Sequence, residues 1–153
     1  MGVRVATLAV AFALHNAEEL ARFDAWDALS GFAPPADRAT FPRAVALLTG
    51  LVALALGLAA ARGLRGGWGW VAGIIAGGLL VNAAGHVGLS LWTAQALPGV
   101  VTVLVMGPAA AWLIAGLELS GRAQLAALAL GGAVMPAVAL AALGLARVTG
   151  GLG

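Results

Sequence analysis

The stretch GGWGWVAGIIAGGLLVNAAGHVGLSLWTAQALPGVVTVLVMGPAAAWLIAGL, residues 66–117, decides the fold because it contains no Asp, Glu, Lys or Arg. Its only titratable side chain is His86. A bilayer core about 30 Å thick requires about 20 mostly apolar residues per helix, so this stretch is long enough to cross a membrane twice. Residues 95–99, QALPG, supply the turn, which predicts membrane helices over 68–92 and 98–118.

The flanking sequence adds three further apolar segments. Residues 44–61 and 123–146 are uncharged, and an apolar run that carries a few ionisable residues begins near the N-terminus. The sequence predicts an all-α polytopic membrane helix bundle in a single domain over residues 1–153, with a loop over 23–42. The five predicted transmembrane helices are 3–22, 43–63, 68–92, 98–118 and 123–147. Gly73 and Gly77 form a G-x-x-x-G pattern, which indicates close helix packing.

The composition excludes several classes of function. Hydrophobic residues make up 62% of the chain and charged residues only 9%, whereas soluble domains carry about 25% charged residues, so membrane lipids are the expected surroundings. The eight basic residues are scattered, without a basic patch or interleaved aromatic residues, which argues against binding of nucleic acid. The chain has no Cys, so disulfides and thiolate metal sites are excluded.

A cluster of ionisable residues lies inside the first predicted helix. His15, Glu18, Glu19 and Arg22 are spaced i, i+3, i+4, i+7, so all four side chains share one helix face. Ionisable groups inside a membrane helix cost several kcal/mol each unless they are paired or solvated. This cluster therefore marks a candidate site.

A second polar stripe lies in the third predicted helix, where Asn82, His86 and Ser90 are spaced i, i+4, i+8. The first and third helices cross the membrane in the same direction, and both His15 and His86 lie beyond the midpoint. We therefore expect the two histidines to lie at similar depth, in the half that faces the 23–42 loop. The fourth helix begins on that side and brings residues 98–102 near.

Two kinds of chemistry are compatible with this cluster. In the first, His15, Glu18 and His86 bind a single divalent metal with one open position, and Glu19 is the general base. Zinc is favoured over iron, because di-iron bundle sites use about four carboxylates. The second kind is metal-free acid–base chemistry, in which one carboxylate holds a proton beside an ionised one.

These residues predict metal-dependent hydrolysis or modification of a lipophilic small-molecule substrate that enters from the bilayer. Asn82 would orient a ligand or hold the substrate, and Arg22 would offset carboxylate charge or bind an anionic head group. Two alternatives stay open. The protein could be a small transporter that uses the same residues as a proton relay, or a non-catalytic membrane protein whose ion pairs are structural.

Three blocks in order carry a resemblance to a known family. They are H-x-x-E-E at residues 15–19, N-x-x-x-H at 82–86 and P-G-x-x-T at 98–102. Over roughly residues 10 to 115 the chain resembles the HXXEE family of small multi-pass bacterial membrane proteins. The resemblance implies a location in the bacterial inner membrane and supports the choice of site residues, while it implies no particular reaction.

Overall fold

The computed structural model describes residues 1–26 and 37–150 and is all-helical over them, without strands. A short 3-10 helix, Phe23–Trp26, follows the first α-helix. The five α-helices are α1 (Gly2–Ala21), α2 (Thr40–Ala61), α3 (Gly67–Thr93), α4 (Val100–Gly116) and α5 (Gly121–Gly150). The predicted helix bundle is confirmed.

Three of the helices, α2, α3 and α5, are long and apolar enough to cross a membrane. The other two helices, α1 and α4, do not combine the length and the apolarity that a membrane span requires. α1 contains Arg4 as well as Glu18 and Glu19, and α4 has 17 residues, which at 1.5 Å each span only about 26 Å. Membrane crossing by α1 and α4 therefore stays a prediction.

The contact between α3 and α5 is made by glycines. A Cβ atom on Gly77 would lie 2.7 Å from the Cα of Leu128, and one on Gly78 would lie 2.8 Å from the carbonyl oxygen of Gly131. Gly131 itself abuts the backbone of α3. The predicted close packing is confirmed, and it depends on small residues from both helices.

α1 fixes α4 at both of its ends. Near the C-terminus of α4, the Arg4 guanidinium donates a hydrogen bond to the Trp112 carbonyl (2.9 Å) and lies 5.1 Å from the centre of the Trp112 ring. At the N-terminus of α4, Glu18 accepts hydrogen bonds from the backbone N–H groups of Val101 and Thr102. A cation at the C-terminus and an anion at the N-terminus both complement the helix dipole. The register of α1 on α4 is thereby set.

The start of α2 lies three residues before the predicted position. The Asp37 carboxylate accepts hydrogen bonds from the backbone N–H groups of Thr40 (2.7 Å) and Ala39 (2.8 Å), and these bonds hold the pKa of Asp37 below its ordinary value. Arg38 forms an ion pair with Asp24. The remainder of the predicted loop, residues 27–36, lies outside the described residues.

Candidate metal centre

The two histidines of the chain meet between α1 and α3. His15 is 1% exposed and His86 is 9% exposed. Their ring centroids lie 4.8 Å apart, with the ring planes almost perpendicular at 89°. The two histidines therefore lie at the same level of the helix bundle, while their depth in a membrane stays a prediction.

Glu19 joins the two imidazoles. Its Oε1 atom lies 3.3 Å from His86 Nε2 and 3.7 Å from His15 Nε2. One ligand atom from each of these three residues lies within 4.8 Å of the others. Ligand atoms around a tetrahedral zinc ion, with bonds of about 2.0–2.1 Å, are roughly 3.3 Å apart. The two separations that involve Glu19 Oε1, 3.3 Å and 3.7 Å, approach that value.

The α3–α4 turn orients the ring of His15. His15 Nδ1 lies 3.3 Å from the Gly99 carbonyl oxygen and 3.4 Å from Thr102 Oγ1. Because a carbonyl oxygen only accepts, the contact with Gly99 favours the tautomer with hydrogen on Nδ1, which leaves the lone pair on Nε2. The side-chain amide of Asn82 donates to this lone pair at 3.2 Å. A histidine held in this way is prepared to bind a metal through Nε2.

A glycine is required where the turn approaches His15. Gly99 has φ +85°, and a Cβ atom at this position would lie 2.8 Å from His15 Nδ1. The left-handed conformation and the lack of space both favour glycine. The P-G-x-x-T block thus contributes to the site through the backbone and through Thr102, which the sequence placed nearby without a role.

Glu18 occupies a different environment from its neighbour. Its carboxylate accepts hydrogen bonds from Thr102 Oγ1 (2.7 Å), Thr102 N (2.9 Å), Arg22 Nη1 (3.2 Å) and Val101 N (3.4 Å). The N-cap residue of α4 is Gly99, which has no side chain, so Glu18 supplies the missing cap from another helix.

The placement of the two glutamates therefore differs from the predicted one, in which Glu18 was a metal ligand and Glu19 the base. The structure brings Glu19 together with the histidines and directs Glu18 towards α4. The reason is angular, because consecutive residues on an α-helix point about 100° apart. This angle allows the two carboxylates to face different neighbours.

Arg22 holds the α3–α4 turn. Its guanidinium donates to the Ala96 carbonyl (2.7 Å) and the Leu97 carbonyl (3.2 Å) as well as to Glu18. It therefore offsets the charge of one carboxylate, as predicted, and its other donors contact backbone carbonyls rather than a head group. Ser90 accepts a hydrogen bond from the Leu97 N–H (3.3 Å) and supports the same turn.

A cavity of about 330 Å³ opens beside the cluster. Its polar end is formed by His15, Asn16, Glu19 and Asn82. The side-chain amide of Asn16 donates to Thr49 Oγ1 (2.6 Å), a link between α1 and α2 that the sequence analysis did not identify. The remaining lining is apolar and comes from α1, α2, α3 and α5. Its volume is at the lower end of the range for small-molecule sites, about 300–1,000 Å³.

The fold and the site define a helical protein with membrane-length helices and a buried His/Glu cluster that could hold a metal ion. The family described as proteins of unknown function with an HXXEE motif matches residues 6–113, more than half of the chain. The protein belongs to this family, and the match includes every residue of the cluster. No curated protein and no solved structure matches the chain.

Proposed function

We propose that this protein is an integral membrane enzyme of the bacterial inner membrane. It would use one divalent metal ion, with zinc favoured, to hydrolyse or modify a lipophilic substrate. The observation that carries the proposal is the meeting of His15, Glu19 and His86, from two different helices, beside a mostly apolar cavity that His15 and Glu19 line. A mostly apolar pocket with a few convergent polar groups is the usual form of a small-molecule site.

The donor set supports zinc with an open coordination position. Two imidazole nitrogens and one carboxylate oxygen are a ligand set of catalytic zinc sites, in which the fourth position is left for water or substrate. Calcium and magnesium favour sets made of oxygen ligands, which two histidines do not supply. Di-iron bundle sites use about four carboxylates. Glu19 is the one carboxylate in this cluster within the described residues.

The residues around the cluster support distinct tasks in hydrolysis. The ion, when bound, activates water and polarises the substrate carbonyl. The Gly99 carbonyl holds His15 in the tautomer that presents Nε2. Once that lone pair is used by a metal, the amide of Asn82 is available to donate to a substrate oxygen at the cavity wall.

The acid–base role belongs to Glu19 rather than Glu18 in this proposal. Glu18 already accepts hydrogen bonds from Thr102, Val101 and Arg22, so its carboxylate oxygens are occupied. Glu19 could bind the ion through one oxygen and accept a proton from water through the other. Hydrolysis would then break the acyl bond, add the water oxygen to the acyl carbon and transfer the proton to the leaving group.

Metal analysis of the purified protein tests the binding step. We expect about one equivalent of zinc in the wild type after loading and dialysis, and loss of that zinc in His15→Ala and His86→Ala. Asn16→Ala is the matched control, because Asn16 is also buried on α1 and lines the cavity but bonds to Thr49. Absence of zinc from the wild type, or full occupancy in both histidine variants, would overturn the proposal.

A cobalt-substituted sample tests the open position. A long-chain alkyl hydroxamate, which chelates active-site metals, should change the visible absorption of the bound cobalt and should bind far more weakly to the metal-free protein. Equal binding to the two forms would show that the hydroxamate does not bind the metal, and an unchanged cobalt spectrum would show that the coordination sphere is closed. Either result would contradict hydrolysis.

A further inference from the structure

The apolar part of the cavity is built from four helices and leads away from the metal ligands. Phe12 of α1 and Leu79 of α3 are buried beside it, while Val45 of α2 and Leu143 of α5 form the opposite walls. Most of its lining residues are apolar, and the polar ones come from α1 and α3. Such a lining combines a few polar groups with a larger hydrocarbon surface.

The cavity lies where α5 passes from α3 to α2. In its first half α5 packs on α3 through Gly131, and at its end Gly150 abuts the guanidinium of Arg43 on α2. Val81 of α3 and Pro136 of α5 line the cavity and are also exposed on the outer surface. Because α3 and α5 both have the length and apolarity of membrane spans, the opening between them faces lipid rather than water.

The charges at the polar end select the head group. Glu19 presents a carboxylate to the cavity, and the nearby cation, Arg22, already contacts Glu18 and two backbone carbonyls. With no metal bound, an anionic head group would therefore face a like charge in a region of low dielectric. Asn82 lines the same end and offers an amide, which suits a neutral oxygen such as an ester carbonyl or a hydroxyl.

We infer that this cavity binds one hydrocarbon chain of a neutral single-chain lipid, which enters from the bilayer between Val81 and Pro136. Its ester carbonyl accepts a hydrogen bond from the side-chain amide of Asn82. The assignment deepens the proposed function by naming its substrate class and rests on that function for the chemistry. Binding of the chain itself requires no metal. A volume of about 330 Å³ is at the lower end of the range for small-molecule sites, which favours one chain over two.

Photoaffinity labelling of the metal-free full-length protein tests the site directly. The probe is a monoacylglycerol with a diazirine near the end of its chain, incorporated into phosphatidylcholine nanodiscs in the presence of a chelator. We expect crosslinks on the cavity walls at Val45 and Leu143, reduced by unlabelled monoacylglycerol with an optimum at one chain length. Labelling confined to the outer surface at Leu51 and Leu140, or competition that is indifferent to chain length, would overturn the inference.

A pair of substitutions on α5 sharpens the result. Ala139 lines the cavity, so the added ring of Ala139→Phe should occupy part of its volume and weaken labelling about tenfold or more. Ala137 is exposed on the same helix, and Ala137→Phe is the matched control that should label like the wild type. If Ala139→Phe does not fold, the crosslink positions in the wild type still decide the question.

Zinc content, measured on separate zinc-loaded and dialysed samples of the same variants, separates the two proposals. Cavity labelling without zinc binding would overturn the metal enzyme and leave the lipid site intact. Zinc binding without cavity labelling would overturn the lipid site and leave the metal centre intact.

Discussion

Removal of the Glu18 side chain and removal of the Glu19 side chain should affect different properties of the protein, the stability of the fold and the binding of zinc. Glu18→Ala removes the cap of α4 and should destabilise the fold, whereas Glu19→Ala should abolish zinc binding and leave the stability close to that of the wild type. Adjacent identical residues that have separate roles make a sharp comparison, because composition, depth and helix propensity are the same for both substitutions.

The magnitude follows from the contacts of Glu18. Its two shortest hydrogen bonds come from Thr102 Oγ1 (2.7 Å) and Thr102 N (2.9 Å). Hydrogen bonds to a charged group contribute about 1.5–3 kcal/mol each, and both donors would be left without this acceptor. After allowance for the desolvation cost of the carboxylate, we expect Glu18→Ala to lower the free energy of unfolding by about 3 kcal/mol. Glu18→Gln keeps an acceptor oxygen but not the charge and should lose about half as much.

The assay is the free energy of unfolding in mixed micelles, obtained by SDS titration and followed by circular dichroism. Zinc content is measured on the same samples. Glu118→Ala is the control, because Glu118 is 75% exposed and lies 3.9 Å from Arg65 Nε, a distance at which a surface pair contributes little. The reasoning is refuted if Glu18→Ala is as stable as the wild type, or if Glu19→Ala is the less stable of the two.

Two further predictions concern the framework around the site. Gly131→Ala should force α5 away from α3 and lower the free energy of unfolding by about 2–3 kcal/mol. Gly144→Ala is the control, because an added Cβ at this position meets nothing within 4 Å, and it should be neutral or stabilising. Equal effects of the two substitutions in SDS titrations would contradict the proposed packing of α5 on α3. Because the pKa of Asp37 is lowered in the folded state, its contribution to stability is complete above about pH 4 and is lost as the pH falls through the lowered pKa. The stability of Asp37→Asn should therefore fall less steeply than that of the wild type below about pH 4 in a pH series of thermal unfolding, and parallel curves would exclude this role for Asp37.

Much of the fold could be predicted because the relevant signals are local. Uncharged runs of about 20 residues give helices with little ambiguity, and the predicted helices 68–92 and 98–118 correspond to α3, Gly67–Thr93, and α4, Val100–Gly116. The start of α2 was less predictable, because it depends on the hydrogen bonds of the Asp37 side chain with the N–H groups of Ala39 and Thr40. The positions of His15 in α1 and of His86 in α3 predicted that the two residues lie at the same level of the bundle. Each residue of a helix advances about 1.5 Å along the helix axis, so a position in the sequence gives a position along that axis.

By itself, the sequence determined that the chain forms apolar helices, and that His15, Glu18, Glu19 and Arg22 share one side of α1. Helical periodicity predicts which side chains share a face of the helix, but a face about 100° wide can contact more than one neighbouring helix. Only the tertiary structure decided which neighbour each side chain meets. It placed α4 beside Glu18, whose carboxylate caps that helix, and brought Glu19 into contact with His86.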